Sequence, residues 1–169
     1  MGIRKEYLNF LNENCTLFKV KILELGNQII KDDCAGHIKT GKELFSSMGC
    51  YHISMDTNGL DGAVNEDLGK KITGYDNEFD IICDFGTSIC VDNYKMCYQN
   101  MVKMCKPGGT MVFILPEVGS DWKANHYVDK KFFVDFAKKN NCKAKKIKVI
   151  DGLHGNLVCA ALVKNESIE

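Results

Sequence analysis

Two apolar runs, each stopping at a carboxylate and a glycine, constrain this chain more than anything else in it. The first, Val20-Lys21-Ile22-Leu23-Glu24-Leu25-Gly26, lacks the apolar/polar alternation of a strand with one wet face. Such a run fits a strand covered by helices on both sides, the environment of a parallel sheet in an α/β protein. Gly26 lets the backbone turn sharply and approach a ligand without a Cβ in the way. Glu24 sets a carboxylate near the carboxyl end of the strand, where doubly wound sheets bind their ligands. The second run, Phe79-Asp80-Ile81-Ile82-Cys83-Asp84-Phe85-Gly86, has the same ending. Buried strands closed by glycine occur in any doubly wound sheet, so these runs define an architecture before they define a function.

The intervening sequence supplies the helices and turns such a sheet needs. Ile3, Tyr7, Leu8 and Leu11 fall near one helical face over residues 3–14, with Phe10 beside it. After Gly26 no helix starts cleanly: Lys31-Asp32-Asp33 and Gly36 interrupt the pattern, which predicts a long loop over 27–39. Thr40-Gly41-Lys42-Glu43 has capping-box spacing and introduces Leu44, Phe45 and Met48. The same stretch imitates the phosphate-binding pattern GxxxxGK[ST] from Gly36 onward, but Glu43 stands where a hydroxyl must hold Mg²⁺, and its carboxylate would repel phosphates. Residues 50–55 read as a second strand ended by Asp56, and 62–68 as a short third strand ending at Asp67-Leu68. A helix over 92–105, with Asp92 as N-cap and Lys106-Pro107-Gly108-Gly109 as stop, leads into the strand Met111-Val112-Phe113-Ile114-Leu115. Another helix is predicted over 130–139, with Phe132, Phe133, Phe136 and Ala137 inward. Two last strands, 145–150 and 156–163, are joined by the turn-rich Asp151-Gly152-Leu153-His154-Gly155. The lysines from 138 to 148 alternate with Ala144, Ile147 and Val149, as in a strand with one wet face.

With 169 residues, 45% of them hydrophobic, the chain is expected to be a single domain spanning 1–169. Lys+Arg and Asp+Glu both total 22, so no global field favours nucleic acid or an anionic membrane. No run of about 18 apolar residues predicts a membrane span. Nine cysteines form no CxxC pair and are odd in number, and Cys83 and Cys159 fall inside predicted strands. That pattern points to free thiols in a reducing, cytoplasmic setting, without a zinc site or disulfide framework.

Taken together, the acidic-x-Gly ending at Glu24-Leu25-Gly26, Asp56 after the second strand, Phe79 to Asp84 and Lys106-Pro107-Gly108-Gly109 before a buried strand resemble, in order, residues 20–115 of a class I S-adenosylmethionine (SAM)-dependent methyltransferase. The family usually continues to a second glycine, where this chain has Asn27-Gln28. The resemblance implies an α/β doubly wound, mostly parallel seven-stranded sheet of order 3-2-1-4-5-7-6, with strand 7 antiparallel. It also implies an N-terminal helix over the cofactor site, although a helix that only covers the sheet edge fits the residues equally well. SAM is the implied cofactor: Glu24, Gly26 and Asn27 at its amino-acid end, Asp56 at the ribose, Asp67 and Leu68 at the adenine, and Asp84 with Phe85 bordering the methyl group. Carboxylates at neighbouring strand tips, Glu24, Asp56 and Asp84, are thus expected to converge on one adenosine-sized crevice. His126 and Asp84 are the candidate catalytic residues, His126 as a general base. Trp122, His126 and Tyr127 are expected to shape the pocket of a small-molecule acceptor, completed by the chain's own loops or by a homo- or hetero-oligomeric partner. The Asn/Asp-Pro-Pro-Tyr/Phe signature of amino-group methylation is replaced by Asp84-Phe85-Gly86, which favours an oxygen acceptor. Two alternatives stand beside this: a weak or silent SAM-binding partner subunit, and another nucleotide-binding enzyme of the doubly wound class.

Overall fold

In the computed structural model, which describes residues 2–31 and 36–166, α1 (Lys5–Asn14) precedes β1 (Lys21–Leu25), α2 (Gly41–Ser47) and β2 (Tyr51–Met55). β3 (Phe79–Asp84), α3 (Tyr94–Met104), β4 (Cys105–Pro116), α4 (Lys130–Lys139), β5 (Cys142–Ile150) and β6 (Leu157–Lys164) follow. The strands form one sheet in the order β2-β1-β3-β4-β6-β5. β1 to β4 run parallel, and β6 is antiparallel to both of its neighbours. Asp32, Asp33 and Cys34 lie outside the described residues.

Among the described residues this sheet has six strands, not the seven expected from the sequence, and its order is the expected one with the third strand removed. Only Val64 reaches the edge of β2, where it bridges Met55: its N–H donates to Ser54 O at 2.8 Å, and its carbonyl accepts from Asp56 N–H at 3.0 Å. The reason lies in the residues that follow. Asn65-Glu66-Asp67 offers no apolar side chains to a sheet face, and such residues are depleted in strands.

Helices cover both faces, as the unbroken apolar strands require. Leu23, Leu25, Ile82, Met111, Phe113 and Leu115 pack under α3 and α4, against Tyr98, Met101, Phe133 and Ala137. Ile22, Ile81, Cys83, Val112 and Ile114 face α1 and α2, against Tyr7, Phe10, Leu11, Leu44 and Phe45. Each such buried Val, Leu, Ile, Phe or Met side chain contributes about 1.5–3 kcal/mol. α2 starts at the expected capping box, Thr40 Oγ1 accepting from Glu43 N–H at 3.2 Å. α3 is capped by Asn93, which accepts from Met96 N–H at 3.3 Å, rather than by Asp92. α4 is capped by Asp129, which accepts from Phe132 N–H at 2.6 Å.

β5 extends the predicted 145–150 strand backward to Cys142 and forms the sheet's far edge, with Lys143, Lys145, Lys146 and Lys148 along it. Charge there discourages pairing with other chains. Lys145 Nζ donates to Asn14 O at 2.6 Å and Lys148 Nζ lies 3.2 Å from Glu13 Oε2, so this edge is tied to α1. No helix among the described residues is long and apolar enough to cross a membrane.

Candidate functional site

Beyond the carboxyl ends of β1, β2 and β3 the chain leaves a cleft of about 550 Å³, within the range of small-molecule sites. Asn27 and Gln28 leave β1, Asp56 and Thr57 leave β2, and Gly86 and Thr87 leave β3; residues 66–70 and 90–93 close the ring. The sheet's connectivity reverses between β1 and β3, so the cleft sits at the topological switch point of a doubly wound sheet. Gly26 makes its geometry possible. It adopts φ +79°, its N–H donates to Met55 O at 2.8 Å, and a Cβ there would fall 2.4 Å from Thr87 Oγ1. No larger residue fits that turn.

Asn27, Asp56, Asp67 and Leu68, four of the residues expected around a cofactor, border this cleft. Asp56 is fixed by two backbone donors: Asn27 N–H gives to Oδ2 at 2.9 Å and Asn58 N–H to Oδ1 at 3.0 Å. Asn27 Nδ2 in turn donates to Asp61 Oδ2 at 2.8 Å and Leu60 O at 3.2 Å, which ties the β1 exit to the turn after β2. The N–H of Gly69 and the Lys70 ammonium hold the Asp67 carboxyl below its usual range.

Glu24, Asp84 and Phe85 do not border the cleft, which corrects the expectation that three strand-tip carboxylates converge. The pleat is the cause. In register, Glu24 pairs with Cys83 and Leu25 with Asp84, so the two carboxylates point to opposite faces of the sheet. Glu24 is fully buried beneath the start of α2: its Oε2 lies 2.7 Å from His52 Nε2, and its Oε1 accepts from Gln28 N–H at 3.2 Å. Burial pushes its carboxyl up, opposed by His52 and the Gln28 N–H. A Cβ on Gly41 would come within 2.4 Å of that carboxylate, so glycine is what lets α2 begin directly over it. Phe85 packs on Tyr7 of α1, ring centroids 5.9 Å apart. α1 itself covers the sheet face and contributes no residue to the cleft wall.

Asp84 is fully buried on the α3 side, its Oδ1 accepting from Thr87 N–H at 2.9 Å and Ser88 N–H at 3.2 Å. Burial raises its carboxyl above the ordinary range, against the hydrogen bonds of Ser88, Thr87 and Gly86. Ser88 Oγ lies 3.2 Å from the Tyr98 hydroxyl, which lies 2.8 Å from His126 Nε2. The two expected catalytic residues are therefore joined through Ser88 and Tyr98, away from the cleft wall. His126 stacks on Tyr94 at 3.9 Å, while Trp122 packs against the α1 side of the sheet and Tyr127 donates to Trp122 O. None of Trp122, His126 and Tyr127 borders the switch-point cleft.

Burial lowers the His126 imidazole from 6.5 to about 4, so it is neutral in the folded protein at neutral pH. A depressed value means the unfolded chain takes up the proton first on acidification. The His126 contribution to stability is present above pH 6.5 and is lost as pH falls through about 4. A His126→Phe variant is expected to lose this part of the acid limb, read as melting temperature against pH for the two proteins.

Gln28 is the cleft residue that sequence reasoning missed. It is only 6% exposed, and its Nε2 donates to Thr87 Oγ1 at 2.8 Å across the gap between β1 and β3. The signal was the break in the acidic-x-Gly-x-Gly pattern, where a large amide replaces the expected glycine. Thr57, Glu66, Lys70, Thr87 and Cys90 also reach the cleft from loops whose course no periodicity reveals.

No protein-family model and no curated protein matches the chain. Solved structures do match. The 1,6-didemethyltoxoflavin-N1-methyltransferase of Burkholderia thailandensis, solved with 1,6-didemethyltoxoflavin and S-adenosylhomocysteine bound, aligns with a TM-score of 0.70 and 11% identity, over 95% of this chain and 76% of that one. The N-methyltransferase NodS of Bradyrhizobium japonicum, in complex with S-adenosylhomocysteine, aligns with a TM-score of 0.69 and 17% identity, over 96% and 87% of the two chains. A SAM-dependent methyltransferase from Methanosarcina mazei aligns with a TM-score of 0.66 and 13% identity, over 99% and 100%. The overall fold is similar to that of all three. The chain has the class I SAM-dependent methyltransferase fold.

Proposed function

We propose that this protein is a SAM-dependent methyltransferase acting on a small-molecule acceptor. The observation that carries this is the switch-point cleft walled by the exits of β1, β2 and β3, with a fixed carboxylate, Asp56, after β2. The residues present fit an adenosyl ligand. Asp56 keeps acceptor capacity beyond its two backbone donors, since an ionised carboxylate offers about four lone-pair sites, and takes the ribose hydroxyls. Asp67 accepts from the adenine amine and Leu68 packs on the ring. SAM, when bound, supplies a methyl group made electrophilic by its sulfonium sulfur. The protein's part is to hold the two reactants in line and keep water out, which can supply much of a rate enhancement without an acid–base group. Oxygen is the acceptor atom we favour, because Asp84-Phe85-Gly86 replaces the amino-methylation signature. The acceptor side is formed by the loops that border the cleft, 66–70 and 90–93, or by a second chain.

Among the described residues the cleft wall carries Asp56, Glu66, Asp67 and Asp92 against the single ammonium of Lys70. Like charges repel in such a confined site, which disfavours the phosphates of ATP or NAD and suits an adenosyl group bearing a cation. Calorimetric titration is the test: S-adenosylhomocysteine is expected to bind one to one and ATP and NAD not to bind. A preference for either phosphate-bearing ligand overturns the proposal. A second reading, a domain that lends its fold to a partner without binding SAM, draws on the Gln28 side chain standing where the family has glycine; it requires no heat from S-adenosylhomocysteine at all.

A further inference from the structure

We propose that Gln28 selects ligands by their amino-acid end, its Oε1 accepting a hydrogen bond from the α-ammonium. This rests on the adenosyl reading above and adds a specificity-determining residue to it. The direction of the amide follows from its neighbours. Thr87 Oγ1 lies 2.6 Å from Leu25 O and gives its one proton there, so toward Gln28 it can only accept. The group 2.8 Å from it must then be the amide N–H, and the carbonyl oxygen points the other way. That Oε1 is buried and has no hydrogen-bond partner, on a side chain that walls the cleft and belongs to a residue only 6% exposed. Buried carbonyls without a donor are rare because leaving one unpaired is costly.

An amide carbonyl accepts and never donates, so its partner must carry N–H or O–H. An adenosyl amino acid offers three such groups: the adenine amine, the ribose hydroxyls and the α-ammonium. The first two are matched by Asp67 and Asp56. Gln28 stands apart from these, bonded across the β1–β3 gap to Thr87. The remaining donor is the ammonium, whose positive charge also suits a cleft rich in carboxylates. Gln28 is held in this position from below, its N–H donating to Glu24 Oε1 and its carbonyl accepting from Gly41 N–H at 2.9 Å. The side chain fills space that a glycine would leave open, so the amino-acid end meets the amide instead of bare backbone.

The test compares S-adenosylhomocysteine with its deaminated analogue and with 5′-methylthioadenosine, which lacks the whole amino-acid end, by calorimetry on the intact protein. S-adenosylhomocysteine is expected to bind about tenfold tighter than the deaminated analogue, the worth of one hydrogen bond to a charged group. In a Gln28→Leu variant that advantage disappears, while 5′-methylthioadenosine binds within about twofold of the original protein, a control that the cleft is intact. Equal binding of S-adenosylhomocysteine and its deaminated analogue to the unmodified protein overturns the assignment without needing the variant. So does tighter binding of 5′-methylthioadenosine than of S-adenosylhomocysteine, which makes the Gln28 side chain a plug. If none of the three binds, the adenosyl reading itself fails and this inference with it.

Discussion

Replacing Asp56 by alanine is expected to weaken S-adenosylhomocysteine binding about 10- to 100-fold, with a much smaller effect on folding. Two losses combine. The proposed charge-assisted hydrogen bonding to the ribose disappears, worth about 1.5–3 kcal/mol in all. The N–H groups of Asn27 and Asn58 also lose the carboxylate that holds them at 2.9 and 3.0 Å, so the β1 exit and the β2 turn are no longer tied together. Asp56 is half-buried at the end of an edge strand, and its removal empties no core volume. Calorimetry for binding and urea unfolding for stability separate the two effects. Unchanged affinity in a folded Asp56→Ala protein means that the cleft does not hold a ribose there.

Glu24→Ala is expected to do the reverse and strike stability first, by about 3–5 kcal/mol. The Glu24 and His52 side chains are each 1% exposed and lie 2.7 Å apart, with His52 stacked on Phe45. Removing the carboxylate leaves the buried imidazole without its partner, leaves Gln28 N–H without its acceptor, and opens a void beneath Gly41. Glu24→Gln, which keeps an acceptor for the Gln28 N–H, is expected to cost less. Urea midpoints at constant slope measure both. A Glu24→Ala protein as stable as the original contradicts the account of this pair.

Much of the fold was legible because it depends on periodicity and punctuation. Unbroken apolar runs marked strands buried on both faces, and Thr40 with Glu43 marked a helix start that the structure shows hydrogen bond for hydrogen bond. The third strand was overread: of residues 62–68 only Val64 bridges to β2. Position at the cleft was legible where a residue's place in the chain sufficed, as for Asp56 after β2. It was not legible where the direction of a side chain mattered. A strand covered on both faces carries no alternation to show which side a residue takes, so nothing in the runs themselves revealed that Glu24 and Asp84 part to opposite faces. Both accept from backbone groups: Glu24 from the Gln28 N–H, and Asp84 from the N–H groups of Thr87 and Ser88. Asp92, freed from capping by Asn93, instead borders the cleft and accepts from Asn125 Nδ2 at 3.0 Å.

The central claim is that one cleft, beyond the tips of β1, β2 and β3, takes an adenosyl ligand. A crystal structure grown with S-adenosylhomocysteine tests it most directly. The account predicts density for the ligand between Gln28 and Thr87 at one end and Asp67 and Leu68 at the other, with its ribose hydroxyls on Asp56. Ligand density elsewhere on the molecule, or a cleft that stays empty at saturating S-adenosylhomocysteine, would contradict it.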